Sequence, residues 1–487
     1  MLRKAPHRQQ ASEDKDEKAA PVDCRTSGCC GSALRWLERQ RHWSGLAQLD
    51  PRSLFAFRAA LAAVVAWDAA EKVTLAPAFY EYADSSYPFF ALAEDVGSVA
   101  ASLNPFTWLA APAWPRVVLA ATGVLALGIP FFRACSLACW ILFTAAILRN
   151  VEVTFIFDRY VHVMLLFSGA LPYGGSPEPS LAALLLRLQL AWIYVDAGYG
   201  KVVGPDGDWS LAARVPALAV YMMGAPGLGA LLAHDRLHFG GWLARLATPA
   251  AAWGELLVGP AMLLAAAAAP GGLWPQLCPV LVVWSLHAFI ALGMEGGAAI
   301  CAAAWAGWLS MLPAGLWAQL GLGAAAAGGR PARCPWRWLA AAFLVACALF
   351  QLSGAKSSPG PLPTVMLLNR WRVFTGAEMT MIWEVAPARL SNGSIVDLWS
   401  WRQVSFAKPA RYGRRGRWMS FPFTKRGSAR AVDARFRYLC REWDAAHEVQ
   451  VEKYQLFELS ATLDAKLELS PPTKSLIRVQ DCQASPA

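Results

Sequence analysis

The chain has 487 residues, of which 56% are hydrophobic and only 16% are charged, and 23 of them are tryptophan. This composition is more apolar than a soluble protein of this length needs, so it excludes a soluble globular protein and predicts an integral membrane protein. The formal net charge is +10. We predict membrane lipid among the partners and no nucleic acid.

Residues 1–48 are predicted to form a disordered tail on the cytoplasmic side. The stretch mixes acidic and basic side chains and lacks the apolar core of a signal peptide. Basic residues are frequent before the first apolar segment, and the positive-inside rule therefore places this end in the cytoplasm. These basic residues are Arg3, Lys4, Arg8, Arg25, Arg35, Arg39, Arg41 and Arg52.

Residues 49–355 are predicted to form an all-α, polytopic membrane bundle of about nine spans, because about nine apolar segments follow one another. Several segments are shorter than the roughly 20 residues that a perpendicular span needs, so about eight or ten spans also fit the pattern. The segments are Leu54–Trp67, Val117–Phe132, Ala134–Leu148, Val153–Ala170, Leu181–Gly200, Ala247–Ala269, Val280–Leu292, Ala298–Leu320 and Trp338–Leu352.

Residues 356–487 are predicted to form a small extramembrane α+β module. The segments Met379–Val385 and Ser394–Trp399 have strand periodicity and flank Asn392-Gly393, which is typical of a hairpin turn, so we predict that they pair. A helix is predicted over Ala431–His447 and another strand over Tyr454–Leu459. Because the predicted number of spans is odd, the module is expected on the side opposite the tail.

Several site classes are absent from the sequence. The 11 cysteines show no C-x-x-C pair and no paired Cys/His spacing, so neither a metal site nor a disulfide framework can be assigned. There is no Walker loop, dinucleotide-binding fingerprint, zinc-protease motif or nucleophile elbow. These absences argue against nucleotide-driven pumps, classical dehydrogenases and zinc proteases.

Ionisable residues inside the apolar segments are the candidate functional residues, because each costs about 2.5–3.5 kcal/mol at membrane depth if it faces lipid. Arg187, Tyr194 and Lys201 recur every seven residues, which keeps them within about 40° of one another on a helix. We therefore predict one polar stripe that faces the bundle interior.

Other ionisable residues are isolated in their segments. Asp158 and His162 lie one turn apart on a common face, whereas Glu255 and His287 each stand alone among apolar neighbours. One hypothesis is that they converge on a cavity with the polar stripe. The alternative is that each is a hydrogen-bonded packing residue.

Lys201 closes the predicted helix Leu181–Gly200 and admits two interpretations. It can be an anchor whose ammonium group reaches the lipid headgroups, helped by Asp196, Asp206 and Asp208. It can instead be a base inside the bundle, and this choice decides whether the protein is an enzyme.

Short motifs follow one another in a recognisable order along residues 50–459. They are Asp50–Arg58, Gly128–Arg133, Gln189–Tyr194, Ala197-Gly198-Tyr199-Gly200-Lys201, Ser285–His287 and Trp371–Phe374. In this order they resemble vitamin K-dependent gamma-glutamyl carboxylases and the related horizontally transferred transmembrane domain (HTTM) proteins. The most specific stretch is the Gln-to-Tyr helix that ends in Ala-Gly-x-x-Lys.

The resemblance implies a lyase-type carboxylase that uses a quinol such as vitamin K hydroquinone, together with oxygen and carbon dioxide. It implies that Lys201 is the catalytic base and that His287 hydrogen-bonds a quinol oxygen or an intermediate. Tyr194, Asp158 and Glu255 are then expected at the quinol site, and a glutamate-containing molecule is the expected acceptor. No metal is predicted.

Two departures from the animal carboxylases bear on the substrate. Gly200 precedes Lys201 where those enzymes carry a second lysine, and the sequence after the membrane domain is much shorter than their lumenal domain. Recognition of a protein substrate through a propeptide is therefore not expected. The alternative function is a non-enzymatic membrane protein that binds a lipid or quinone, or that serves as a structural or transport partner.

Overall fold

The structure is a computed structural model. It describes residues 46–79, 104–109, 113–149, 156–174, 180–204, 207–223, 226–269, 272–293, 297–322, 379–408 and 429–483, and also residues 345, 371 and 376. The predicted tail lies outside these residues except for residues 46–48, and the predicted segment Trp338–Leu352 lies outside them except for residue 345.

The described part of the chain before residue 323 is helical. Its α-helices are α1 Pro51–Phe79, α2 Trp114–Ala126, α3 Arg133–Arg149, α4 Ile156–Ala170, α5 Leu181–Val202, α6 Ala217–Met223, α7 Pro226–Phe239, α8 Trp242–Ala268, α9 Leu273–Gly293, α10 Gly297–Leu309 and α11 Ala314–Gln319. Helices α6 and α7 have no counterpart among the predicted apolar segments.

Within the described residues, four helices are long and apolar enough to cross a membrane: α1 over Pro51–Thr74, α5, α8, and α9 over Leu273–Leu292. Helices α2, α3 and α10 are apolar but shorter. An α-helix rises about 1.5 Å per residue, so these helices fall short of a hydrocarbon core about 30 Å thick. The prediction of about nine spans is therefore not confirmed.

The predicted apolar segment Ala298–Leu320 contains two helices. Helix α10 ends at Leu309, and α11 begins directly after Pro313, which takes an extended conformation at the N-cap position. Proline cannot donate the backbone hydrogen bond that a continuing helix needs, and it disfavours helical geometry in the residue before it. The apolar run alone does not reveal this break.

Helices α5 and α8 pack closely because glycine lies on both sides of their contact. A Cβ atom at Gly259 of α8 would lie 2.6 Å from the carbonyl oxygen of Ala191 on α5. A Cβ atom at Gly198 of α5 would overlap the backbone of Leu256 on α8. Small residues at such contacts let two membrane helices approach backbone to backbone. This contact brings the end of α5 alongside the middle of α8.

Contacts near the helix ends show which ends of the bundle lie together. The Ser180 amide before α5 donates to the Ala47 carbonyl before α1 at 2.8 Å. Arg58 of α1 donates to the carbonyl groups of Leu171 and Pro172, which follow α4, at 3.1 and 3.0 Å. The chain before α1 thus lies at the end of the bundle opposite the last turn of α5.

The C-terminal module is an antiparallel sheet with one helix. The elements are β1 Thr380–Val385, β2 Pro387–Leu390, β3 Ile395–Asp397, α12 Ala429–Ala446, β4 Val451–Thr462 and β5 Thr473–Asp481. Strand β4 pairs with β1 and β2 along one edge and with β5 along the other, and β3 pairs with β2. The predicted helix is α12, and its apolar stripe of Phe436, Cys440 and Trp443 is buried.

The predicted hairpin is present, but one of its strands was assigned wrongly. The turn contains Gly393 at a φ of 83°, and it connects β2 to β3. Strand β1, which was expected to pair across this turn, pairs with β4 instead. With 12 residues, β4 is long enough to hold β1 and β2 one after the other. A disulfide between Cys440 and Cys482 joins α12 to the end of the module.

The module packs on the bundle through the turn between β4 and β5. Leu463 and Leu467 are buried in a cluster that contains Trp209 and Leu232 of the bundle. Arg236 of α7 donates to the Leu467 carbonyl at 3.4 Å. The module therefore lies near Trp209, which follows α5.

Candidate functional site

The polar stripe of α5 faces the interior, as predicted. Arg187, Tyr194 and Lys201 are all buried, with exposed fractions of 5%, 4% and 4%. The helix places Tyr194 and Lys201 on the face that packs towards α8 and α9. Any function of Lys201 is consequently exercised inside the protein.

Lys201 forms a buried ion pair with Glu255 of α8, through Nζ and Oε2. The side chains are 3% and 8% exposed. The ammonium nitrogen also lies 5.1 Å from the ring centre of Trp209, a distance at which a cation is attracted to an aromatic face. Asp196 is itself buried and accepts a hydrogen bond from the Trp371 amide at 2.8 Å, and Asp206 lies outside the described residues. Burial argues against the anchor interpretation.

A second buried pair joins α5 to α9. The Tyr194 hydroxyl and His287 Nε2 are hydrogen-bonded at 2.7 Å. The Tyr194 ring also packs edge-on against Trp308 of α10, with ring centres 5.4 Å apart. The carbonyl group of His287 accepts a hydrogen bond from the Cys301 thiol at 2.8 Å. These contacts fix the positions of both side chains.

The two pairs line one cavity. Lys201, Glu255, Tyr194 and His287, all predicted as site residues, form its polar wall. Its volume is about 60 Å³, which is room for a few waters. The remaining wall consists of Ile156, Tyr160, Ile193, Ala197, Leu286, Ile290, Ile300, Ala304 and Trp371.

Asp158, also predicted as a site residue, lies elsewhere. Its carboxylate is 2.7 Å from Lys72 Nζ, which also pairs with Asp68 at 2.7 Å, and these side chains are almost fully buried. His162 likewise stays away from the cavity and is hydrogen-bonded to Thr144 Oγ1 at 2.9 Å. The face shared by Asp158 and His162 therefore belongs to contacts with α1 and α3, as the packing alternative expects.

Two polar residues of the cavity, Tyr160 and Trp371, are not among the predicted site residues. Trp371 belongs to one of the short motifs, and it enters the wall because Asp196 holds its backbone. The sequence around Tyr160 does not distinguish a tyrosine that lines a cavity from one that only packs between apolar helices. Only the packing of α4 against α10 brings it to the site.

Three buried polar atoms of the wall have no hydrogen-bond partner among the described residues: Tyr160 Oη, His287 Nδ1 and Trp371 Nε1. Buried polar groups normally have partners, so these atoms are suited to bind a ligand or water. The indole N–H can only donate, whereas the phenol and the imidazole nitrogen can take either role according to their protonation. In the described part of the chain, no cluster of three or more His, Cys, Asp or Glu residues could hold a metal ion.

The arrangement can move a proton in a nearly apolar space. A proton that passes from Lys201 Nζ to Glu255 Oε2 leaves a neutral amine, which is the form that acts as a base. The apolar residues of the wall surround this ion pair. The site therefore combines a buried ion pair with separate polar atoms that have no hydrogen-bond partner among the described residues.

No protein family, curated protein or solved structure matches this chain in comparisons by sequence and by fold.

Proposed function

We propose that this protein is a multi-pass membrane enzyme that resembles the vitamin K-dependent carboxylases and HTTM proteins, with Lys201 as the base that deprotonates a quinol. The observation that carries the proposal is the convergence of Lys201, Glu255, Tyr194 and His287 on one buried cavity. These residues come from three different helices, and three of them lie in the motifs on which the resemblance rests.

The chemistry of the cavity suits a quinol. A hydroquinone has two hydroxyl groups on opposite sides of a flat apolar ring, and the wall combines polar atoms with aliphatic side chains. Since about 60 Å³ holds only a few waters, the ring has to displace lining side chains as it enters. Leu286, Ile290 and Ile300 are only partly buried, so we expect this side of the wall to open towards lipid.

The residues of the chain would have the following roles. Glu255 Oε2 accepts the proton of Lys201, and the free amine then accepts a proton from one ligand hydroxyl. Tyr194 holds His287 through Nε2, which leaves Nδ1 to hydrogen-bond the ligand. When bound, the quinol supplies the oxygen-driven oxidation that powers the carboxylation of a glutamate-containing acceptor by carbon dioxide.

The proposal includes an orientation: the N-terminal tail is cytoplasmic and the C-terminal module lies on the other side. It is supported by the contacts that put the chain before α1 and the last turn of α5 at opposite ends of the bundle. The Cys440–Cys482 disulfide also favours an oxidising compartment for the module. Labelling of an epitope inserted at either end, in sealed vesicles, tests this orientation.

The test of the proposal is quinone-epoxide formation in nanodiscs supplied with vitamin K hydroquinone, oxygen, bicarbonate and a short glutamate peptide. Wild-type protein should form epoxide, and Lys201→Met should lose at least about 100-fold in rate, the scale of general-base catalysis. Lys453→Met, a change of the same kind on an exposed strand residue, should keep full activity. Equal rates for wild type and folded Lys201→Met would overturn the role of Lys201.

The second candidate function is quinone or lipid binding without turnover. It is favoured by the ion pair itself, because a purely structural pair has the same form. In that case added quinone should quench the tryptophan fluorescence of the wild-type protein, but no epoxide should form. Binding accompanied by epoxide formation excludes this candidate.

A further inference from the structure

Tyr160 presents a buried hydroxyl group that the packing does not explain. The residue lies on α4 in the wall of the cavity and is 2% exposed. Its ring packs edge-on against Trp371, with ring centres 5.8 Å apart. Its hydroxyl oxygen has no hydrogen-bond partner in the described part of the chain. Phenylalanine would provide the same ring contacts without burying an unpaired polar group.

Helix α10 makes room for this hydroxyl. A Cβ atom at Gly307 would overlap Tyr160 Oη and would lie 3.2 Å from the ring carbon that carries it. Gly307 lies within the helix, where glycine is less favourable than alanine. The helix thus carries an unfavourable residue at the point where the hydroxyl needs space.

Trp371 adds a second buried donor beside Tyr160. Its indole N–H has no partner among the described residues, and it can only donate. The backbone of Trp371 is held by Asp196, so the indole is fixed against the Tyr160 ring. A ligand atom that satisfies this end of the cavity is therefore an acceptor, such as a quinone or quinol oxygen.

We infer that Tyr160 is a ligand-contacting residue, whose hydroxyl group donates a hydrogen bond to an oxygen atom of the molecule in the cavity. The inference rests on the proposed function in one respect, namely that the ligand is a quinone or quinol. One ligand oxygen then binds at the end of the cavity formed by α4 and Trp371. The other ligand oxygen binds near Lys201 and Glu255.

The test compares Tyr160→Phe with Tyr173→Phe. Both changes remove one hydroxyl oxygen, but the Tyr173 hydroxyl is hydrogen-bonded within the protein, to Ser136 at 2.7 Å and to the Ile129 carbonyl at 3.0 Å. Affinity is measured in nanodiscs by the quenching of tryptophan fluorescence with 2-methyl-1,4-naphthoquinone. Tyr160→Phe should raise Kd about tenfold, the effect of one hydrogen bond, and Tyr173→Phe should leave it unchanged.

Thermal unfolding of the ligand-free variants provides the second readout. Tyr160→Phe should keep or raise Tm because it removes an unpaired buried group, whereas Tyr173→Phe should lower Tm because it breaks two hydrogen bonds. An unchanged Kd for Tyr160→Phe, beside a wild type that binds, overturns the inference and leaves the proposed function standing. Failure of the wild type to bind the naphthoquinone overturns the proposed quinone site and the inference with it.

Discussion

At the scale of single residues, the mutual dependence of Lys201 and Glu255 decides what the cavity can do. Both are buried, so each neutralises a charge that would otherwise be stranded away from water. Removal of one partner is therefore expected to lower the free energy of unfolding more than removal of both. Under the proposed function, the same dependence links binding of a ligand to proton movement, because a ligand that gives a proton to this site changes the charge of the pair.

We predict that Lys201→Met destabilises the protein by about 3–5 kcal/mol, because it leaves the carboxylate of Glu255 buried without its cation. The double variant Lys201→Met/Glu255→Gln should recover most of this loss. The measurement is the free energy of unfolding in mixed micelles with increasing denaturing detergent. Lys453→Met, at an exposed position, is the control and should match wild type. Equal stabilities for the single and double variants would show that the pair is not coupled.

At the scale of elements, the contact between α5 and α8 brings Lys201 and Glu255 together. It depends on glycine at the crossing, since a Cβ atom at Gly259 would lie 2.6 Å from the Ala191 carbonyl oxygen. The neighbouring Gly254, on the same helix, has open space around it instead. Helix α8 therefore contains one glycine that its packing requires and one that it does not.

We predict opposite effects for alanine at these two positions. Gly259→Ala should lower the free energy of unfolding by about 1–3 kcal/mol, because the helices must separate to admit the methyl group. Gly254→Ala should leave stability unchanged or raise it by up to about 1 kcal/mol, because alanine favours the helix. Thermal unfolding in nanodiscs measures both. A destabilised Gly254→Ala together with a neutral Gly259→Ala would contradict the close crossing.

At the scale of the whole molecule, the C-terminal module docks beside the end of α5 that carries Lys201. Leu467 shares its cluster with Trp209, and the Trp209 ring faces Lys201. The docked turn between β4 and β5 consequently supports one wall around the ion pair. The module is thus connected to the site through packing as well as through the chain.

We predict that Leu467→Gln undocks the module while the module itself stays folded. Burying the amide should cost about 2 kcal/mol or more, because Leu467 is only 3% exposed. Limited proteolysis of the full chain should then cut the connection between bundle and module faster. Leu476→Gln, the same change at a leucine that is 53% exposed on β5, is the control and should not alter the cleavage rate. Unchanged cleavage of both variants would argue that Leu467 does not hold the interface.

A further prediction concerns the disulfide between Cys440 and Cys482, which are 42 residues apart. By the chain-entropy relation, a loop of that length stabilises the folded state by about 4 kcal/mol. Reduction with dithiothreitol, or the change of both cysteines to serine, should therefore make the module unfold at lower temperature. The apolar helices provide the internal control, since helicity that persists after the module has melted marks its separate unfolding. An identical melting curve with and without reductant would contradict a structural role for this bond.

The sequence by itself determined that the chain is membrane-embedded, where most of its helices lie, and which face of α5 is polar. These properties depend on hydrophobicity and on hydrogen bonds between residues a few positions apart, so they can be read locally. The α12 stripe and the turn at Gly393 were predictable for the same reason. The number of spans was not predictable, because an apolar run does not show whether its helix is long enough to cross a membrane or is broken, as at Pro313.

The tertiary structure alone decided which polar residues meet. Glu255 is 54 residues from Lys201, and His287 is 93 residues from Tyr194, so only helix packing joins these pairs. Packing also took Asp158 away from the expected site, because Lys72 is available to it from α1. The same packing placed Tyr160 and Trp371 in the wall of the cavity. Periodicity specifies a face of a helix, whereas the partner of that face depends on how remote side chains fit together.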